Sequence, residues 1–94
     1  MCYKYKKIIF DNPIFKNTVD ATYIIHLKGN GRLKHIINQL SIYHPTRIVY
    51  ILFNKGYKKC NKLNFITNPP LDLVDCNINI FNHAKSLKYN NILV

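Results

Sequence analysis

Two kinds of hydrophobic pattern alternate along the chain. Residues 22–27, Thr-Tyr-Ile-Ile-His-Leu, and residues 47–53, Arg-Ile-Val-Tyr-Ile-Leu-Phe, are continuous apolar runs rich in β-branched and aromatic side chains. Continuous rather than alternating hydrophobicity predicts strands buried on both faces, as in a parallel sheet. Between the runs the period changes: Leu33, Ile36, Ile37, Leu40 and Tyr43 recur at helical spacing, with Lys34, Asn38 and Gln39 opposite, which predicts a helix over 32–43. Asn30 is the expected N-cap, and His44-Pro45 ends the helix because a residue before proline avoids the α region. A second helix is predicted over 71–88, with an apolar stripe of Leu71, Val74, Ile78, Phe81, Ala84 and Leu87. Asn68-Pro69-Pro70 opens it, since a first helical turn does not need the N–H that proline lacks. Asp72 and Asp75 near its start and Lys85 and Lys88 near its end match the helix macrodipole. Residues 92–94 begin a third strand. Weaker signals predict a short strand over 3–10, closed by Asp11-Asn12-Pro13, an irregular arm over 14–20, and a short edge strand over 62–67.

Strand, helix, strand, helix, strand with short links predicts an α/β fold. The expectation is a partial Rossmann-like βαβαβ unit of three parallel strands in spatial order 2-1-3, the first strand central, with two helices. Residues 1–20 form an arm to a domain over 21–94. A last strand of three residues is short against the usual length of about five or six, so the sequence reads as a fold cut before completion.

Composition limits the function classes. The formal charge is +10, from 14 Lys and Arg against 4 acids, with no Glu. Lys, Asn, Ile and Tyr make up about half the chain, a bias of AT-rich codons, so the charge reports the coding sequence as much as a ligand. The lysines are dispersed, with no arginine-rich helix or aromatic ladder, and a dedicated nucleic-acid role is not expected. No apolar run approaches the roughly 18–20 residues that span a bilayer, and residues 8–10 are too short for a signal-peptide core. An intracellular, cytoplasmic protein is the expectation. Cys2, Cys60 and Cys76 are an odd set without Cys-x-x-Cys spacing, so free thiols in a reducing compartment are expected. The histidines show no His-x-x-x-His pair, and no metal ligand is assigned. His26, ending a buried strand, reads as a hydrogen-bonded structural histidine. No catalytic residue is assigned.

Two loops at one sheet edge carry candidate binding chemistry, because ligands of open α/β sheets bind outside the carboxyl ends of the strands. The first holds His26, Leu27, Lys28, Gly29, Gly31 and Arg32: the glycines allow close backbone approach, the following helix N-terminus favours anions, and Arg32 could reach a phosphate or ribose. The Gly-x-Gly-Arg spacing is neither a dinucleotide fingerprint nor a P-loop, and on the residues alone a tight βα turn with a solvated arginine is the favoured explanation. The second holds Asn54, Lys55 and Tyr57, suited to a ribose or base, a phosphate and base stacking in turn, or simply a solvated basic loop.

The segment Tyr23-Ile24-Ile25-His26-Leu27-Lys28-Gly29-Asn30-Gly31-Arg32-Leu33, a helix, and then Val49-Tyr50-Ile51-Leu52-Phe53-Asn54-Lys55-Gly56 resembles the N-terminal half of nucleotide-sugar glycosyltransferases of the GT-A fold, of the viral and procollagen-galactosyltransferase-like kind. The resemblance covers residues 20–94 and implies that both loops contact the nucleotide of a sugar donor. It implies an acidic Asp-x-Asp-type motif after the strand at Asn91-Ile92-Leu93-Val94, holding a Mn²⁺ or Mg²⁺ ion on the diphosphate. That motif is not in this chain, which is therefore expected to be an incomplete GT-A fold, the donor-binding fragment of a glycosyltransferase, inactive alone. The alternative is a small basic non-enzymatic binding or interaction module, with self-association through an exposed sheet edge.

Overall fold

The computed structural model describes residues 2–15, 18–27, 29, 31–60 and 66–94. Six elements follow in order: β1 (Tyr3–Ile9), β2 (Ala21–Leu27), α1 (Leu33–Ile42), β3 (Ile48–Asn54), α2 (Pro69–Ser86) and β4 (Ile92–Leu93). The strands form one sheet in the order β1-β3-β2-β4. β2 lies parallel to both β3 and β4, so the three strands expected to be parallel are, with the first of them central. The expected all-parallel unit is corrected by β1, which pairs antiparallel with β3 along its whole length and makes the sheet four-stranded and mixed. β1 adds a strand because Tyr3, Tyr5 and Ile8 reach the two apolar clusters of the sheet while the intervening lysines stay exposed.

The crossovers through α1 and α2 run in opposite directions across the sheet, and right-handed connections then place the helices on opposite faces. One cluster joins Ala21, Tyr23, Tyr50 and Leu52 to Cys76, Ile80 and Ala84 of α2. The other joins Val49 and Ile51 to Leu40 of α1, with Ile24, Leu33 and Ile36 packed on it. β3 is buried on both faces, as its continuous apolar run demands. Each such fully buried aliphatic side chain contributes about 1.5–3 kcal/mol.

α2 buries a different stripe from the one its hydrophobic residues predict. Asp72, Cys76, Ile80 and Ala84 face the sheet, whereas Val74, Ile78, Phe81 and Leu87 are exposed. The sheet face beneath is built of tyrosines, whose hydroxyls need partners when buried. The helix therefore turns its polar side chains inward: Tyr3 donates to Asp75, Tyr5 donates to Asn79, and the Tyr23 hydroxyl meets His83 Nδ1. Asp72, the acid of the first turn, and Asp75, one turn further on, are thus tertiary hydrogen-bond acceptors. The helix begins at Pro69, two residues before the expected start, and the Asn68 side chain caps it by accepting from Leu71 N at 3.0 Å.

Two further expectations change. Cys2 and Cys60 form a disulfide, and Cys76 is a buried cysteine outside it. Pairing of β1 with β3 brings residue 2 beside the loop that follows β3, a proximity that cysteine spacing does not encode. Of the edge strand expected over 62–67, residues 62–65 lie outside the described residues, and Ile66 and Thr67 are not in a strand. No helix among the described residues is long and apolar enough to cross a membrane.

Candidate functional site

The registers bring three chain positions to one point at the carboxyl edge of the parallel strands: Asn54 pairs with Leu27 of β2 on one side and with Tyr3 of β1 on the other. On the α1 side of this point lies a cavity of about 490 Å³. Its floor is His26, the last inward-pointing side chain of β2, with Phe53 of β3 set edge-on at 5.5 Å. His26 is 5% exposed, and its Nδ1 has no hydrogen-bond partner. The expected structural histidine with a satisfied ring is therefore corrected. Strand β2 places the ring under the loop, and nothing described in the chain meets that nitrogen.

One wall is the turn into α1. Gly29 and Gly31 both line the cavity and both have positive φ, +90° and +76°, a backbone region in which side chains are strained. A Cβ on Gly29 would come 3.9 Å from Lys59 Nζ, so that ammonium stands beside the turn. The helix itself starts at Leu33 with Arg32 in the capping position and no side-chain cap; Asn30, the expected cap, lies outside the described residues. The amino end of a helix carries unsatisfied N–H groups and a partial positive charge. Lys34 in the first turn, Lys55 after β3 and Lys4 on β1 complete the lining. The charged side chains that line it are all cationic.

Of the residues expected to bind substrate, His26, Gly29, Gly31, Asn54 and Lys55 line this cavity. Leu27 and Tyr57 do not, because alternation along β2 turns Leu27 to the opposite face; both line a separate recess of about 340 Å³ beside Pro69 and Leu73 at the start of α2. Arg32 is exposed at the head of α1, and Lys28 lies outside the described residues. The Asn54 side chain is committed to structure: Nδ2 donates to Asp72 Oδ2 at 3.0 Å and to Cys76 Sγ at 3.2 Å, while Oδ1 accepts from Gly56 N at 2.9 Å. It ties the end of β3 to α2 rather than offering its amide to a ligand. Sequence reasoning missed Lys4 and Lys34. Lys34 reads as the solvent side of a helix, and Lys4 reaches the site only through the antiparallel register of β1 with β3.

The divalent cation implied by the resemblance finds no fitting ligand set. No group of three or more His, Cys, Asp or Glu side chains comes together among the described residues, and no carboxylate lines the cavity. What the arrangement offers instead is a site for an anion: backbone N–H groups, ammonium groups and a buried imidazole around one open volume. Comparison with protein families, with curated proteins and with solved structures finds no match to this chain.

Proposed function

We propose that this chain is the donor-binding part of a glycosyltransferase, holding a nucleotide sugar at the carboxyl edge of β2 and β3. The reading joins the resemblance of residues 20–94 to the position and chemistry of the cavity. The observation that carries it is His26 Nδ1, buried and unpartnered among the described residues, on the floor of a cavity walled by two positive-φ glycines and the start of α1. A ligand oxygen there would satisfy the imidazole, and the diphosphate would lie against the head of α1. In this reading the chain binds and orients the donor and supplies neither a catalytic base nor a metal, so it does not turn the donor over by itself.

Calorimetric titration of the chain with uridine and guanosine diphosphate sugars tests this. Saturable binding that Gly31→Val abolishes is the expected result; no binding of any nucleotide sugar removes the reading.

A second reading, a non-enzymatic interaction module, is favoured by a different surface. β4 is an edge strand among the described residues, and Leu73, Val74, Ile78 and Phe81 of α2 are each more than half exposed.

A further inference from the structure

We propose that the cavity at the head of α1 binds the phosphates of its ligand directly, through His26, lysine side chains and the helix start, with no bridging divalent cation. The nucleotide half of this statement rests on the donor-binding reading; the phosphate half does not.

The chain has four carboxylates, and each is accounted for away from the cavity. Asp11 follows β1 and Asp20 precedes β2, which puts both at the opposite edge of the sheet. Asp20 Oδ2 is further engaged by Asn90 N at 2.7 Å and Asn91 N at 3.0 Å. Asp72 and Asp75 belong to α2, on the other face, and accept from Asn54 Nδ2 and from the Tyr3 hydroxyl. Mg²⁺ and similar hard cations are held by one or two protein carboxylates together with substrate phosphates. No such carboxylate lines this cavity, and a cation would instead face Lys4, Lys34 and Lys55.

The same lysines suit the ligand itself. A diphosphate carries at least two negative charges, and lysine neutralises phosphate as a compact point charge without a defined fork geometry. The first-turn N–H groups of α1 add directed donors, which the Arg32 side chain does not cap. His26 supplies the one buried contact: an imidazole with a proton on Nδ1 donates to a phosphate oxygen, and the Nδ1 atom is the buried polar atom without a partner among the described residues. Phosphate contacts made this way weaken with salt.

The test titrates the full chain with inorganic pyrophosphate, uridine diphosphate and uridine, each in EDTA and again with Mg²⁺. The expected result is that pyrophosphate and uridine diphosphate bind in EDTA, that uridine binds far more weakly, and that Mg²⁺ changes neither affinity by more than about twofold. His26→Ala and Lys34→Gln each weaken pyrophosphate by about tenfold, the loss of one charge-assisted contact. Lys34 is exposed, so its variant reads binding even where His26→Ala perturbs the fold, and Lys88→Gln, in the exposed turn after α2, leaves affinity unchanged. Binding that appears only with Mg²⁺ overturns direct phosphate capture and leaves the donor-binding reading standing. Equal affinity for pyrophosphate and uridine diphosphate supports direct capture and removes the nucleotide from it. Failure of all three ligands to bind overturns both.

Discussion

The Tyr23 hydroxyl and His83 Nδ1 lie 2.6 Å apart across the interface of β2 with α2, inside a cluster of aromatic rings. Tyr5 stacks on the His83 ring at 4.0 Å, and Tyr50 meets it edge-on at 4.8 Å. The groups facing the imidazole are therefore neutral phenols from β1, β2 and β3, and burial lowers its pKa below the ordinary 6.5. An imidazole that is harder to protonate when folded stabilises the fold fully above pH 6.5, and that contribution is lost as pH falls through the folded value. The urea midpoint should thus drop between pH 7 and pH 5, and His83→Gln should flatten this slope. An unchanged slope in the variant would place the acid sensitivity elsewhere.

The same cluster predicts an alkaline limit. Burial pushes Tyr5 and Tyr89 up to about 12, and Tyr3 and Tyr23 higher still. For groups whose folded value is raised above about 10, stability is complete below that pH and is lost as pH rises through the folded value. Tyrosinate absorbance should therefore rise together with the loss of circular dichroism, in one cooperative step. Ordinary titration near pH 10 with the fold intact would contradict the burial of these hydroxyls.

What the sequence made legible was the part of the fold carried by apolar runs: β2, β3, both helices and the central place of β2. Such runs encode burial, and burial on two faces is nearly specific to parallel strands. What it hid was set by polar partners distant along the chain. Hydrophobic periodicity pointed α2 along Val74, Ile78 and Phe81, but the tyrosine face of the sheet selected the side bearing Asp75, Asn79 and His83. His26 and Asn54 were both legible as residues at the site edge. Their opposite roles, one with an unmet ring nitrogen and one fully engaged, follow from strand alternation and from α2, not from local sequence.

Two isoleucines of α2 separate these orientations. Ile78 is 53% exposed, and Ile80 is fully buried against the sheet. Ile80→Ala removes packed volume and should cost about 2–5 kcal/mol. Ile78→Ala should change stability by no more than about 0.5 kcal/mol. Chemical denaturation of the two variants reads the difference, and a larger loss at Ile78 would mean that α2 presents its apolar stripe to the sheet after all.

Asn54 holds the carboxyl end of β3 to α2 with two hydrogen bonds, one of them to a buried carboxylate, and accepts a third from Gly56 N. Asn54→Ala leaves Asp72 and the Gly56 N–H without this partner in a buried setting, and each loss of that kind costs about 1–3 kcal/mol. Asn54→Asp is the sharper test. It sets a second carboxylate 3.0 Å from Asp72 Oδ2, so the variant should lose most stability at neutral pH and recover part of it in acid. Urea unfolding of Asn54→Asp at pH 4 and pH 7 measures this, and a pH-independent loss would show that Asp72 does not face residue 54.

The Cys2–Cys60 bond closes the largest covalent loop in the chain, joining residues 58 apart. It links the start of β1 to the loop carrying Lys55, Lys58 and Lys59, and Cys2 itself lines the cavity. By loop-closure entropy a bridge of this span stabilises the fold by about 4 kcal/mol. Reduction should therefore lower Tm substantially without dissolving the sheet, because β1 keeps its pairing with β3 and its tyrosine contacts to α2. Thiol counting gives the direct check. Unfolded in denaturant without reductant, protein purified in air should show one reactive thiol, that of Cys76, and three after reduction. Three thiols in both conditions would remove the bond. In that event the basic loop would be held at the cavity by backbone pairing alone, such as Lys55 N to Cys2 O at 3.1 Å. Cys2→Ser/Cys60→Ser protein would then match the wild type in Tm.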